Sequence, residues 1–354
     1  MGYPRKRIAM RVSALCCVLW FFGALTTVWA SPFSLEAGSA ALMDMNSKRL
    51  LYEQDSTRKI PPASLTKVMT MFIALDAVKT GKISLQTPIR ISKAAAHAGG
   101  SNMHLKAGER IRLDDLLRGM AVASANDAAA AVAEYIAGSQ AAFVSIMNRK
   151  AEQIGMKNTV FKTPHGLPAK GQFTTAADML RLACRYLEAH PSARCYHSTP
   201  AILHNGILMQ NTNKLLGHDA INGLKTGFTR ASGYNIILTS TRHGMEMVGV
   251  LMRTPSVEVR TREAQRLLDY GASLRMPEKE TMELNGGKKA KTAKTSREHP
   301  GRLARATAST RFANGEKTQT QDPGSGKKAK VFPPRRALPQ TAALSPAAQG
   351  SQLR

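Results

Sequence analysis

The sequence predicts a mixed α/β fold of the α+β kind, in which both ends of one domain build a single antiparallel sheet around a helical middle. Short alternating runs at residues 40–44 and 49–52 have the pattern of a β-hairpin. Strand-like alternation returns at 234–241 and 245–252, whereas residues 78–217 are mostly helical or looping. Because the strand signals lie at the two ends, we expect one antiparallel sheet made from both ends, carrying a helical insertion.

Helix-like apolar spacing fills the middle of the chain. In residues 141–154, Phe143, Met147 and Ala151 recur at intervals of four, which places them on one face of a helix. The same spacing predicts helices over residues 113–120, 127–137, 176–189 and 257–270.

The first thirty residues have the pattern of an export signal. Four cations among residues 5–11 precede an apolar run at 12–25, and small residues lie just before Ser31. The apolar run is short for a membrane-spanning helix, and an uncleaved signal that acts as an anchor is the alternative. We therefore expect an exported protein, in the periplasm or on the outer face of the cytoplasmic membrane. The predicted division is a signal peptide at 1–30, a folded domain at 31–275 and a tail at 276–354.

The tail differs sharply in composition from the rest of the chain. Residues 276–354 hold 16 cations and 6 anions with few large apolar side chains. Such a segment cannot bury enough surface to offset its chain entropy, so the sequence predicts a disordered basic tail.

Charge also indicates the kind of partner. The chain has a net charge of +26, which favours phospholipid surfaces, wall polymers or peptides that carry carboxylates. Nucleic acid is the usual alternative, but a low aromatic content of 5% and the lack of a recognisable binding motif argue against it.

A serine and a lysine three residues apart form the first candidate site. Pro61 and Pro62 suit the entry of a helix that begins near Ala63, so Ser64 and Lys67 share one face at its start. The positive end of the helix dipole favours a serine alkoxide. The lysine can accept the serine proton if burial and a second cation keep it neutral. Ser-x-x-Lys alone, however, is a common accident on solvated helices.

Two further motifs make a chance occurrence of Ser-x-x-Lys improbable. Ser124, Ala125 and Asn126 lie in a predicted loop between two helices, and Lys225, Thr226 and Gly227 precede the strand at 234–241. Ser-x-x-Lys, Ser-x-Asn and Lys-Thr-Gly in this order form the signature set of the penicillin-recognising serine enzymes.

With all three motifs in place, the chain resembles the D-alanyl-D-alanine carboxypeptidases among the low-molecular-mass penicillin-binding proteins, over roughly residues 39–271. The resemblance implies the β-lactamase/transpeptidase-like architecture. The matching stretches are PASLTKVMT at 62–70, SANDAA at 124–129, HGL at 165–167, TAAD at 175–178 and GLKTGFTRASGY at 223–234.

The resemblance also implies catalytic roles. Ser64 is expected to be the acyl-accepting nucleophile and Lys67 its base, with Ser124 relaying a proton to the leaving D-alanine. The backbone N–H groups of Ser64 and Phe228 are expected to form the oxyanion hole.

Substrate contacts are implied in the same way. Asn126 is expected to hold the substrate amide and the Lys67 side chain, and Lys225 to supply the second cation. Thr226 is expected to bind the terminal carboxylate, while Gly227 lets substrate lie close to the strand edge. The expected partners are peptidoglycan stem peptides and, as covalent inhibitors, β-lactam antibiotics, with electrostatic contact to anionic membrane or wall polymers. No cofactor or metal is expected.

Two histidines need comment. His165 in the HGL turn is expected to brace the loop rather than to catalyse. Some relatives place an arginine where this chain has His204, so carboxylate binding is expected to depend on Thr226, Thr229 or Arg230, and the sequence leaves the choice among them open.

Other functions remain as alternatives. A D,D-endopeptidase of the same family would use the same catalytic groups to cut peptide cross-links. A class A β-lactamase adds a glutamate that activates water, but Glu134, Glu152 and Glu188 all lie in predicted helices. A zinc peptidase lacks support because no His-x-x-x-His pair with a neighbouring glutamate occurs. A non-catalytic wall-binding protein would not need an activated serine.

Cys184 and Cys195 remain after removal of the predicted signal. In an exported protein such a pair is often a disulfide, whose loop closure would contribute about 2 to 3 kcal/mol. Two unpaired thiols are the alternative.

Overall fold

A computed structural model describes residues 33–274. The predicted signal peptide and basic tail therefore lie outside the described residues. The strands are β1 (Ser39–Asp44), β2 (Leu50–Gln54), β3 (Pro88–Arg90), β4 (Arg110–Arg112), β5 (Ala201–His204), β6 (Ile207–Gln210), β7 (Ile221–Thr229), β8 (Gly233–Arg242) and β9 (Met245–Thr254). The α-helices are α1 (Lys67–Lys79), α2 (Lys93–Ala96), α3 (Leu113–Val122), α4 (Asn126–Ala137), α5 (Gln140–Gln153), α6 (Ala176–Ala189), α7 (Arg194–His197) and α8 (Val257–Ser273). Two 3-10 helices span Ala63–Thr66 and Pro191–Ala193.

The central sheet has five antiparallel strands in the order β2-β1-β9-β8-β7. The first strand of the domain pairs with the last one, from Ser39 opposite Met252 to Asp44 opposite Met247. The prediction of one sheet built from both ends is therefore confirmed. Within residues 33–274, the edge strands β2 and β7 each have a strand neighbour on one side only.

The sheet separates two apolar layers. Successive side chains of a strand point to opposite faces, so Ala41 of β1 joins one layer and its neighbours Ala40 and Leu42 join the other. The larger layer contains α1, α3, α4, α5 and α6, whereas α8 covers the opposite face. Helix α1 is buried on all sides over its first nine residues, Lys67 to Leu75, as expected for a helix segment that is apolar all round.

The predicted helices and hairpin are confirmed, with one difference in the insertion. Two small sheets, β3 with β4 and β5 with β6, lie in a region that we expected to be helical or looping. Their strands have three or four residues, too few to show an alternation of period two against the surrounding sequence. No single helix of the described range is long and apolar enough to cross a membrane; helices α4 and α5, bent by 86° at their junction, meet that requirement only as a pair.

Of the two alternatives left open for Cys184 and Cys195, a disulfide or unpaired thiols, the structure has two free thiols. Cys184 lies on α6 with its Sγ 3.8 Å from Met43 Sδ of β1, so it faces the sheet. Cys195 lies on the short helix α7 after the turn at Pro191–Ala193 and is exposed. One thiol therefore points into the interior and the other into solvent. Burial raises the pKa of the Cys184 thiol to about 12.

The turn that carries Ser64 rests on the loop that contains Gly166. Gly166 has φ +88°, and a Cβ atom built on it would lie 1.8 Å from the carbonyl oxygen of Ala63. Only a residue without a side chain fits this close approach. On the other side of the loop, Thr70 Oγ1 of α1 donates a hydrogen bond of 2.6 Å to the Pro164 carbonyl oxygen. The loop and the first turns of the helix thus fix each other.

We predict that Gly166→Ala is more destabilising than Gly171→Ala. Both glycines have positive φ, so a side chain costs about 1 to 3 kcal/mol of backbone strain at either position. At Gly171 a Cβ atom would meet only the flexible end of Lys162, at 3.8 Å, whereas at Gly166 it displaces the Ala63 carbonyl. The clash adds about 1 to 3 kcal/mol. Urea unfolding of the two variants measures the difference, and equal midpoints would contradict the packing argument.

Candidate active site

Ser64 and Lys67 lie in direct contact at the start of the central helix. The Lys67 Nζ atom is 2.9 Å from Ser64 Oγ and 2.8 Å from the backbone carbonyl oxygen of His165. Ala63 has φ +49°, and the chain enters α1 through a tight 3-10 turn that includes Ser64. Ser64 remains partly exposed while Lys67 is fully buried. The hydroxyl can therefore meet a ligand, and the amine can meet the hydroxyl.

The surroundings of Lys67 disfavour its protonated form. Burial lowers the pKa of Lys67 well below its ordinary value, and the positive charge of Lys225 lowers it further. The carboxylate of Asp127 acts in the opposite direction on this pKa. Asp127 is itself buried and accepts hydrogen bonds from the backbone N–H groups of Met103, Leu105 and Ala128. These three hydrogen bonds already stabilise the Asp127 carboxylate, so it stabilises the protonated form of Lys67 less than a free carboxylate would.

A second buried lysine and a buried arginine lie on the β7 side of the site. Lys225 is fully buried, and its Nζ donates a hydrogen bond of 3.1 Å to the Thr226 carbonyl oxygen. Burial, together with the positive charge of Arg260, lowers the pKa of Lys225 to about 7. Arg260 lies on α8 and is 7% exposed, and the nearby carboxylate of Glu263 is paired with Arg262 and Arg266 instead. Cations therefore accumulate here, which favours an anionic ligand.

Arg260 was missed in the sequence. It occupies the helix stripe continued by Ala264, Leu267 and Gly271, all of which are buried. The sequence pattern that could have identified Arg260 is an arginine at the first position of an otherwise apolar helix stripe. Three other arginines nearby in the sequence made this one hard to distinguish.

Ser124 and Asn126 lie at the junction of α3 and α4, as the loop prediction required. Ser124 has φ +59° and is 5% exposed. Asn126 donates from its side-chain Nδ2 to the Gly99 carbonyl oxygen at 2.6 Å. A carbonyl can only accept, so this contact fixes the orientation of the amide. The other end, Asn126 Oδ1, is buried without a hydrogen-bond partner among residues 33–274.

The expected contact between Asn126 and Lys67 is not formed. The Asn126 amide nitrogen is on Gly99, and the Lys67 amine is held by Ser64 and His165. The Asn126 oxygen therefore has an unused acceptor capacity among the described residues.

Strand β7 places the Lys-Thr-Gly motif against the serine turn. A Cβ atom built on Gly227 would lie 3.1 Å from the backbone nitrogen of Ser64. A side chain at Gly227 would push β7 and the serine turn apart by a few tenths of an ångström, so glycine favours their close packing. The expected close approach of substrate stays a prediction. The Thr226 hydroxyl is 2.8 Å from that of Thr212. Phe228 is half exposed and stacks on Tyr234 of β8, with ring centroids 4.3 Å apart.

His165 has the geometry of a brace. Its Nδ1 accepts a hydrogen bond from the Leu167 backbone N–H at 3.2 Å, and its carbonyl oxygen accepts from Lys67. Burial, together with the charge of Lys67, lowers the pKa of His165 to about 4, so the imidazole is neutral at ordinary pH.

The remaining candidates for carboxylate binding are less favourably placed. Thr229 is engaged in hydrogen bonds with Ser232 in the turn between β7 and β8. His204 lies on β5 with its Nε2 3.5 Å from a carboxylate oxygen of Glu109. Arg230 lines a shallow cavity with Phe228 and Arg253.

Glutamates and metal ligands contribute little to this site. Glu134 binds Ser92 and Gln140, and Glu188 binds Lys48 and Arg185. Among residues 33–274, no group of three or more His, Cys, Asp or Glu side chains could hold a metal ion.

The site as a whole offers a serine hydroxyl beside a buried amine, an amide oxygen without a hydrogen-bond partner and a concentration of positive charge. These are the groups that acyl transfer to a serine requires when the substrate is anionic.

Comparison with known proteins agrees with this arrangement. Residues 26–256 match the family described as D-alanyl-D-alanine carboxypeptidase. The carboxypeptidase DacC of Escherichia coli is 37% identical over 258 residues, which cover 71% of this chain and 64% of that protein. A D-alanyl-D-alanine endopeptidase of Pseudomonas aeruginosa is 32% identical over 65% of this chain and 78% of its own length. The crystal structure of penicillin binding protein 5 from Haemophilus influenzae superposes with a TM-score of 0.67, at 34% identity, over 69% of this chain and 72% of that chain.

The chain covers just under two thirds of the length of the E. coli carboxypeptidase. The family match at residues 26–256 includes the whole described sheet and all three motifs. Motifs, sheet topology and site geometry thus agree with an independent match over more than half of the sequence. The chain belongs to the D-alanyl-D-alanine carboxypeptidase family.

Proposed function

We propose that this protein is a serine D-alanyl-D-alanine carboxypeptidase that removes the terminal D-alanine from peptidoglycan pentapeptides. The observation that carries this proposal is the contact of 2.9 Å between Ser64 Oγ and a fully buried lysine whose pKa is lowered. A neutral amine at this distance is a base for the serine proton. The carboxypeptidase relatives support the choice of substrate.

The reaction proceeds through an acyl-enzyme. Lys67 takes the proton of Ser64 as Ser64 Oγ attacks the carbonyl carbon of the scissile D-alanyl-D-alanine bond. The backbone N–H groups of Ser64 and Phe228 stabilise the oxyanion. When the C–N bond breaks, the proton passes through Ser124 to the departing D-alanine nitrogen. Water then hydrolyses the ester on Ser64 and releases the shortened peptide.

The buried cations and the orphaned amide orient the substrate. The terminal carboxylate of the peptide binds near Thr226, in the positive field of Lys225 and Arg260, although the Glu258 carboxylate offsets part of the Arg260 charge. The unpartnered Oδ1 of Asn126 accepts the substrate amide N–H. Both contacts fix the scissile bond against Ser64.

β-Lactam antibiotics acylate the same serine in this proposal. The Haemophilus influenzae neighbour is by its name a penicillin-binding protein. A β-lactamase would need a glutamate beside the ester to activate water. Glu134 and Glu188 have partners elsewhere, so the penicilloyl ester is released slowly.

D,D-endopeptidase activity is the second candidate. The Pseudomonas aeruginosa endopeptidase is matched over 78% of its length, a larger share than the 64% of the E. coli carboxypeptidase. Both activities cleave a D-alanyl bond through an acyl-enzyme, so they differ in which amine leaves.

Product analysis tests both candidates. We predict that the wild-type protein releases one alanine from a pentapeptide muropeptide and that Ser64→Ala releases none and forms no penicillin adduct. The control Ser145→Ala, at an exposed position on α5, should behave as wild type. Mass spectrometry of the products from the monomer and from a cross-linked dimer separates the activities. Splitting of the dimer without trimming of the monomer would contradict the carboxypeptidase proposal, and a penicillin adduct on Ser64→Ala would contradict the assigned nucleophile.

The role of Lys225 predicts a specific pH effect. Acylation needs neutral Lys67, so its rate falls as pH drops through the pKa of Lys67. The positive charge of Lys225 lowers that pKa, and Lys225→Met removes the charge. The acid limb of the acylation rate should therefore move to higher pH in Lys225→Met. The matched variant Lys225→Arg keeps the charge and should leave the limb nearer its wild-type position. Stopped-flow acylation by a fluorescent penicillin gives both profiles; coincident limbs in wild type and Lys225→Met would rule out this role.

We further propose that residues 1–30 direct export and that the basic tail contacts anionic membrane or wall polymers. The export pattern of residues 1–30 supports the first proposal, and the excess of ten cations in residues 276–354 supports the second. Each cation near an anionic membrane contributes about 1 kcal/mol, and salt screens this attraction over about 8 Å at physiological ionic strength.

Truncation tests the tail. The full-length protein should pellet with anionic liposomes or sacculi more than a form that ends at residue 275, and the difference should disappear as salt rises. Turnover of a soluble peptide should stay the same, because the tail holds none of the three motifs. Equal pelleting at low salt would contradict the proposal.

A further inference from the structure

A groove of about 550 Å³ lies between the β1–β2 hairpin and helix α6. Its lining combines apolar side chains, including Met43, Leu50, Leu180 and Cys184, with charged side chains at the rim. The residues that we place in the catalytic and substrate-binding site are not among those that line it. The groove is therefore a separate feature of the fold.

The groove exists because the sheet extends beyond the helix that covers it. Helix α6 packs mainly on β1 and β9, whereas β2 is the edge strand. Leu50 of β2 lies opposite Met43 of β1 on the groove side and is 46% exposed. An edge strand with an exposed apolar side chain is a ready site for a further extended segment.

The chain leaves the described domain close to this edge. In the last turns of α8, a Cβ atom built on Gly271 would lie 2.5 Å from a methyl carbon of Leu42 and 3.5 Å from one of Leu51. The neighbouring Tyr270 ring meets the Tyr52 ring edge-on at 5.5 Å. Since Leu51 and Tyr52 belong to β2, the segment that follows residue 274 begins beside the edge strand.

The first ten residues of the tail differ from the rest of it. Residues 276–285 hold three glutamates and one lysine, whereas residues 286–354 hold 15 cations and 3 anions. Within the acidic stretch, Met282 and Leu284 alternate with the polar Thr281 and Glu283. Alternation of period two places the two apolar side chains on one face of an extended segment.

The charged side chains at the groove are paired with one another: Lys48 and Arg185 with Glu188, and Arg181 with Asp178. The choice of residues 276–285 therefore depends on their apolar alternation and on their place directly after α8, and not on charge.

We propose that residues 276–285 of the same chain dock in this groove as an extended segment beside β2, with Met282 and Leu284 on its apolar floor. Ten extended residues span up to about 33 Å, which is enough to pass around an edge strand about 5 Å wide. The docked segment covers Cys184 and fixes the point from which the basic part of the tail emerges. This intrachain contact goes beyond the proposed peptidase activity and does not depend on it.

Disulfide trapping in the full-length protein tests the register directly. Four variants, Met282→Cys, Leu284→Cys, Thr281→Cys and Glu283→Cys, are oxidised with copper phenanthroline, and the bond to Cys184 is quantified by peptide mass spectrometry. Cross-linking at 282 and 284 should exceed that at 281 and 283 by roughly tenfold, because only the first pair directs its Cβ atoms to the groove and a disulfide needs its two Cβ atoms within about 4.5 Å. The control variants Thr281→Cys and Glu283→Cys are connected to α8 by nearly the same number of residues as the other two. The burial of Cys184 slows all four reactions alike.

The outcomes are decisive in either direction. Equal cross-linking at all four positions would show tethering without docking, and absence of cross-links or a preference for 281 and 283 would also overturn the proposal. All four variants carry Cys195→Ser, so that a single native thiol of the domain is available.

A second measurement does not depend on introduced cysteines. Leu284→Asp should make Cys184 react several-fold faster with a maleimide in the otherwise unchanged full-length protein, and Glu283→Gln should not. Unchanged labelling in Leu284→Asp would overturn the proposal. Turnover of a soluble peptide should be the same in all these variants, so failure of this contact is distinguishable from failure of the peptidase assignment.

Discussion

The site depends on the burial of two lysines with too little negative charge to neutralise them. Lys67 and Lys225 are both inaccessible to solvent; burial and the charge of Lys225 lower the pKa of Lys67, while burial and the charge of Arg260 lower that of Lys225. Asp127 is the carboxylate that acts on Lys67, and three backbone N–H groups already use it. The consequence is an amine that loses its proton at a pH where an exposed lysine keeps it. The Lys67 amine contacts the Ser64 hydroxyl and can therefore act as the base that takes its proton.

This charge arrangement requires the particular topology of the sheet. Ser64 follows the hairpin of the first two strands, whereas Lys225 lies on β7, more than 150 residues later. Pairing of β1 with β9 joins the two halves of the chain, and β7 reaches the serine turn as the far edge strand. Contact between them is close, since a Cβ atom at Gly227 would lie 3.1 Å from the backbone nitrogen of Ser64. The antiparallel sheet is thus the element that holds the two lysines at one site.

The sequence predicts the parts of this structure that repeat or alternate. Alternation marked the hairpin and the strands β8 and β9, and apolar spacing marked the long helices, because burial of one face imposes these periods. The strands β3 to β6 are too short to show such a period. The ordered motifs brought Ser64, Lys67 and Lys225 into one site, but they carried no information on Arg260, whose position depends on how α8 packs. Likewise the Gly99 carbonyl that orients Asn126 comes from a distant loop, and no local pattern indicates that contact.

The two free cysteines have a consequence for how the domain can be made. Cys184 is enclosed against the sheet and Cys195 faces water, so no covalent cross-link between them holds the described fold together. Its stability comes from the two apolar layers and the sheet hydrogen bonds, which are indifferent to redox potential. The domain can therefore reach the same folded state in a reducing cytoplasm as in an oxidising compartment, without a thiol oxidase to assist it.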